Sequence, residues 1–144
     1  MTGRPALALA LSLAAGTAAA DGVVLPCEGW RASVGNLLEP LDRTTRAFAG
    51  GRVRVLVLGH GEPACCGTWI AVLHPTPEGF AGCSLILATE DRGWADAGFA
   101  GDAYYDLATG LSVPMDVVAY DGAGGVRSRI VLLVNQAEGR VTLR

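Results

Sequence analysis

The sequence predicts an all-β fold: an antiparallel β-sandwich or small open barrel of about eight strands, mostly in meander order and stapled by disulfides. Three observations carry this reading. Apolar residues recur with period two in several runs; glycine-containing links of hairpin length separate those runs; and four cysteines sit in a chain that begins like an exported protein.

The first segment is not part of the fold. Residues 1–20 carry one early arginine, an apolar run from Ala6 to about Ala15, and the small residues Ala18, Ala19 and Ala20. This layout is that of a cleaved signal peptide, and the run is shorter than the about 20 residues of a membrane span. A lipid anchor does not fit, because Pro26 precedes Cys27 where a small residue is needed. We therefore expect a single exported β-domain over residues 21–144, periplasmic or secreted, with no membrane span after cleavage.

The mature strands follow in order. In RVRVLVLG, Val53, Val55 and Val57 share one face while Arg52 and Arg54 share the other. In LSVPMDVVAY, Leu111, Val113, Met115 and Val117 oppose Ser112, Asp116 and Tyr120, and RSRIVLLVN sets Ile130, Leu132 and Val134 against Arg127, Arg129 and Leu133. TWIAVL and CSLILAT are more uniformly apolar, as central strands covered on both faces are. The links Ala49-Gly50-Gly51, Asp106 to Gly110, Asp121 to Gly125 and Gln136 to Gly139 have hairpin chemistry.

Two segments do not follow the alternation. Residues 28–42 contain about one helical turn or two, since Pro40 interrupts any helix beginning near Ser33. Residues 91–103 show neither period and read as a long loop pinned by Trp94 and Phe99; the other reading makes these two aromatics a binding surface.

Composition narrows the function classes. The net charge is −3, there is no lysine, and the arginines form no stripe, so nucleic acid and anionic membranes are poor partners. Richness in Ala, Gly and Val with arginine as the sole permanent cation suggests a bacterial genome of high GC content.

The cysteines are Cys27, Cys65, Cys66 and Cys83, an even number that reads as two disulfides in an oxidising compartment. A simple hairpin between TWIAVL and CSLILAT would place Cys83 opposite Leu73, separating Cys66 from Cys83 by roughly 23 Å of strand. A bond between the neighbours Cys65 and Cys66 would hold Cα atoms about 3.8 Å apart, below the usual range. The long, proline-bearing link over residues 74–82 suits a crossover better than a hairpin. The expected pairing therefore joins one of Cys65 and Cys66 to Cys83 and the other to Cys27.

The alternative to staples is a copper or zinc site, or a thiol-redox centre, built from Cys65, Cys66, His60 and His74, with Met115 as a further soft ligand. The spacing has no C-x-x-C or H-x-x-x-H signature, and Met115 is in phase with a core face. Catalysis is weaker still: Glu62, Asp102 and Asp106 fall in turns, and there is no G-x-S-x-G or H-E-x-x-H. No cofactor is implied. The sequence points to a non-enzymatic domain that binds another envelope protein or a small ligand.

YYDLATGLSVPMDVVAYD and VLLVNQAEGRVTLR, with EPACCG and Cys83, resemble small exported bacterial proteins of unassigned function. The resemblance implies an exported β-domain and carries over no activity, cofactor or site residue.

Overall fold

The computed structural model describes residues 22–61 and 65–144. The leader expected over residues 1–20, its mature start at Asp21, and Glu62 of the cysteine loop lie outside the described residues.

Two antiparallel sheets pack face to face as a sandwich. In the first, β1 (Val23–Pro26), β5 (Ala81–Leu87), β4 (Thr68–Pro75), β3 (Val53–Gly59) and β2 (Thr45–Phe48) lie side by side in that order. In the second, β10 (Arg140–Leu143), β9 (Gly125–Asn135) and β8 (Gly110–Tyr120) form a meander, and the free side of β8 takes both β6 (Asp96–Phe99) and β7 (Tyr104–Asp106). A short helix, α1 (Leu41–Thr44), precedes β2 and starts just after Pro40.

Alternation decides which side chains meet between the sheets. Val55, Ile70 and Ile86 of the first sheet face the same core as Val113, Met115 and Leu132 of the second. Ile70, Ile86 and Leu132 are completely buried, each removal from water contributing about 1.5–3 kcal/mol. The uniformly apolar strands β4 and β5 are covered twice, as their composition requires. Their other face presents Trp69, Ala71, Leu85 and Leu87 to a second apolar cluster that includes Leu37 of the segment before α1. Residues 28–40 thus lie as a strap across the outer face of the first sheet, anchored where Leu37 bridges Leu58. Two 3-10 turns, Trp30–Ala32 and Val34–Asn36, shape the strap.

The turns close with the side chains that the sequence supplies. The Asp121 carboxylate accepts the Ala123 and Gly124 N–H groups, and the Asn135 side-chain carbonyl accepts those of Ala137 and Glu138. Asp106 does the same for Ala108 and Thr109. These local bonds close the hairpin turns, and the buried face of each strand sets the register with them.

The structure corrects the expected disulfide connectivity. β4 and β5 do form a hairpin, tightened where the Thr76 N–H donates to the Phe80 carbonyl at 2.8 Å, and Leu73 pairs with Cys83. Cys83 is therefore far from Cys65 and Cys66. It lies instead beside Cys27, because β1 adds to β5 with Pro26 opposite Ser84. The bridges are Cys27–Cys83, with Cα atoms 5.4 Å apart, and Cys65–Cys66 between neighbours at 3.8 Å.

A second difference concerns residues 91–103. Rather than a continuous loop, they contain β6, which pairs with residues 115–118 of β8. Four residues at a sheet edge, one of them Gly98, are too few to show a period. The same holds for β1, and these two edge strands raise the number from about eight to ten among the described residues.

Candidate functional site

At the end of the first sheet where β3 stops and β4 starts, three chain segments converge. The strap brings Trp30 and Arg31, the β3–β4 link brings His60, Cys65, Cys66 and Gly67, and the loop after β5 brings Asp91, Arg92 and Gly93. Together with Trp69 from the start of β4 they line a cleft of about 290 Å3.

The floor of this cleft is Trp69, which is 2% exposed. Its indole N–H donates to the Arg31 carbonyl at 3.0 Å, pinning the strap above it. Asn36, also buried, donates from its side-chain amide to the Trp30 carbonyl at 2.7 Å and the Arg31 carbonyl at 3.3 Å. These bonds hold Trp30 in place although its side chain faces outward, with the residue 54% exposed. The ring stacks on His60 at 4.6 Å between centroids and 18° between planes, and both rings meet Trp69 edge-on. An edge-on arrangement suits the quadrupoles of the rings, and each such pair contributes about 0.5–1.5 kcal/mol beyond burial.

Charge frames the aromatic cluster. The Arg31 guanidinium lies 4.9 Å from the centroid of the Trp30 ring and donates to the Asp91 carbonyl at 2.7 Å, tying strap to loop. The Thr89 hydroxyl and the Asp91 backbone N–H, supported by the charges of Arg92 and Arg31, hold the Asp91 carboxyl below the usual carboxylate range. Arg31, Arg92 and Asp91 all line the cleft, so charged residues of both signs border it.

Backbone pairing joins the cysteine loop to the far wall. The Gly93 N–H donates to the Cys66 carbonyl at 3.0 Å, and Thr68 and Trp94 exchange both of their backbone bonds. This approach is so close that a Cβ on Gly93 would overlap the Thr68 carbonyl, which is why glycine stands there. Cys66 has a φ of 78°, a left-handed conformation uncommon for a residue with a side chain.

The residues singled out from the sequence are thus distributed unevenly. His60, Cys65 and Cys66 share the cleft. His74 does not join them: it sits six residues along β4 from Thr68, about 20 Å away, with its ring nitrogens facing Ser84 Oγ and the Pro75 carbonyl. Met115 is completely buried in the core. Among the described residues, no group of three His, Cys, Asp or Glu side chains is arranged to hold a metal ion.

Trp94 is 1% exposed and packed between the sheets, so it belongs to the core and not to a surface. Phe99 is half-buried beneath Arg46, whose guanidinium lies 4.5 Å from its ring centroid. Asp102 and Asp106 stay at exposed turns. Sequence reasoning missed Trp30, Arg31, Trp69 and the loop residues Asp91 and Arg92 as parts of one site. The available signal was a tryptophan outside every alternating run and close to a cysteine.

No family model matches the chain, and neither a curated protein nor a solved structure shows significant similarity to it.

Proposed function

We propose that this chain is an exported, non-enzymatic binding domain, and that its ligand seat is the cleft between Trp30, His60, the Cys65–Cys66 bridge and Arg92. The observation that carries the reading is the half-exposed Trp30, held rigid from below by Asn36 and Trp69. Buried polar bonds devoted to an exposed aromatic ring do little for the core but prepare a surface for recognition, because the ordering cost is met before a ligand arrives. Export rests on the leader-like segment and on two disulfides, which persist in oxidising compartments.

The cleft's size and lining define the ligand class. A volume of about 290 Å3 suits a molecule of one or two rings. The aromatic and disulfide surfaces favour a flat or apolar ring face, and the guanidinium groups of Arg31 and Arg92 favour carboxylate or hydroxyl acceptors at its edge. A monosaccharide or a small aromatic carboxylate meets both demands.

The test is a titration of the oxidised protein with a panel of monosaccharides and aromatic carboxylates, followed by tryptophan fluorescence and by thermal shift. A saturable response that Trp30→Ala abolishes, with the fold retained, is expected. A panel without response, or a response unchanged in the variant, removes this cleft as the seat.

A further inference from the structure

We infer that the Cys65–Cys66 bridge is a redox latch: a selective target for a dithiol reductant, whose opening detaches the cysteine loop from the loop carrying Asp91 and Arg92. The effect on ligand binding rests on the cleft reading above; the latch itself does not.

Two features distinguish this bridge from Cys27–Cys83. The first is access. Cys65 is exposed and lines the cleft, whereas Cys66 is half-buried like Cys27 and Cys83, and Cys27 packs against the outer apolar cluster. An incoming thiolate needs a line of approach to a sulfur atom, and Cys65 supplies it. The second is backbone conformation. The ring that joins neighbouring cysteines restrains Cys66 at a φ of 78°, which a residue bearing a Cβ otherwise avoids. That conformation places the Cys66 carbonyl against the Gly93 N–H. Once the bridge is open, no covalent constraint keeps Cys66 there, and a return to ordinary φ turns the carbonyl away from Gly93.

The step balances as a thiol–disulfide exchange. One thiolate of the dithiol attacks Cys65 Sγ, forming a mixed disulfide while the Cys65–Cys66 bond breaks, and Cys66 leaves as a thiolate that takes a proton from water. The second thiol of the reagent, as its thiolate, then displaces Cys65. Two electrons and two protons pass to the protein, and the dithiol becomes a cyclic or protein disulfide.

The experiment uses the oxidised protein and dithiothreitol as the dithiol, without ligand. Acid quenching, alkylation and peptide mass mapping identify which cysteines open, and amide hydrogen exchange follows Gly93. The expected result is alkylation of Cys65 and Cys66 while Cys27–Cys83 stays closed, with a loss of about tenfold or more in Gly93 protection. Two double variants separate the bond from the backbone. Cys65→Ser with Cys66→Ser should reproduce the loss. Cys65→Ser with Cys66→Gly should keep protection near the oxidised level, because glycine accepts the left-handed φ without a bridge. Opening of Cys27–Cys83 first or at the same dithiol concentration, or a Gly93 amide equally protected in both redox states, overturns the latch. Because no ligand is present, a failure of the binding reading leaves these results unaffected.

Discussion

Replacing Cys27 and Cys83 together by alanine removes a bridge whose partners are 56 residues apart in sequence. In the folded chain the loss is local: β1 remains paired with β5 from Val23 to Pro26, and the core between the sheets is untouched. In the unfolded chain it frees a long loop. The chain-entropy relation gives about 14 cal/mol/K for a loop of this length, or about 4 kcal/mol at 25 °C. For a domain of this size that corresponds to a fall of about 15 °C in Tm. The assay is urea unfolding of oxidised parent and variant, read by tryptophan fluorescence, with the m-value compared as well as the midpoint. The m-value should rise, because an unfolded chain without the cross-link exposes more surface. Alanine or serine at Cys65 and Cys66 is the internal control: neighbours enclose no loop, so the loop-entropy contribution disappears. A loss below about 1 kcal/mol on removing Cys27–Cys83, or a loss equal to that of the control, would refute the loop-entropy account.

Other consequences are open to simpler measurements. Trp94→Ala leaves a cavity between the sheets and should cost about 3–5 kcal/mol in urea unfolding, whereas Trp30→Ala should cost about 1 kcal/mol or less. Acid should weaken the fold through its turn and strand aspartates. Backbone N–H groups lower the carboxyls of Asp106 and Asp121, and the Arg129 hydrogen bond lowers that of Asp116. A folded pKa below the unfolded value stabilises above the ordinary carboxylate range and is lost as pH falls through the lowered value, so the urea midpoint should drop below about pH 4. Asparagine at all three positions should flatten that drop, and an unchanged acid slope would show that other carboxylates govern it.

The sandwich was legible because its signals are local. Val53, Val55 and Val57 alternate with Arg52 and Arg54, and the same residues occupy core and surface in the structure. The double coverage of β4 and β5 was equally readable from TWIAVL and CSLILAT. The disulfide pairing was not, and the reason is specific. A hairpin places Cys83 opposite Leu73, as observed, but the length and prolines of the 74–82 link mask the tight turn that Thr76 and Phe80 close within it. The strand that settles the pairing is β1, four residues too short to show a period, whose pairing with β5 delivers Cys27 to Cys83.

The site was hidden for a different reason, which the two Gly-Trp pairs make concrete. Gly29-Trp30 and Gly93-Trp94 look alike in sequence, and both lie in irregular segments. Trp94 follows a backbone that bridges to Thr68, and its ring ends among the core residues. Trp30 sits on a strap whose carbonyls are taken by Asn36 and Trp69, and its ring is left outside. The partner that sends one inward is 26 residues away, and the bond that holds the other outward spans 38. The burial of these tryptophans is therefore a property of sheet and strap geometry and not of their neighbours in the chain. It follows that the cleft depends on the strap: a substitution of Asn36 removes one anchor of Trp30 and Arg31 and loosens the strap, while Trp69 still holds the Arg31 carbonyl and the core between the sheets stays intact.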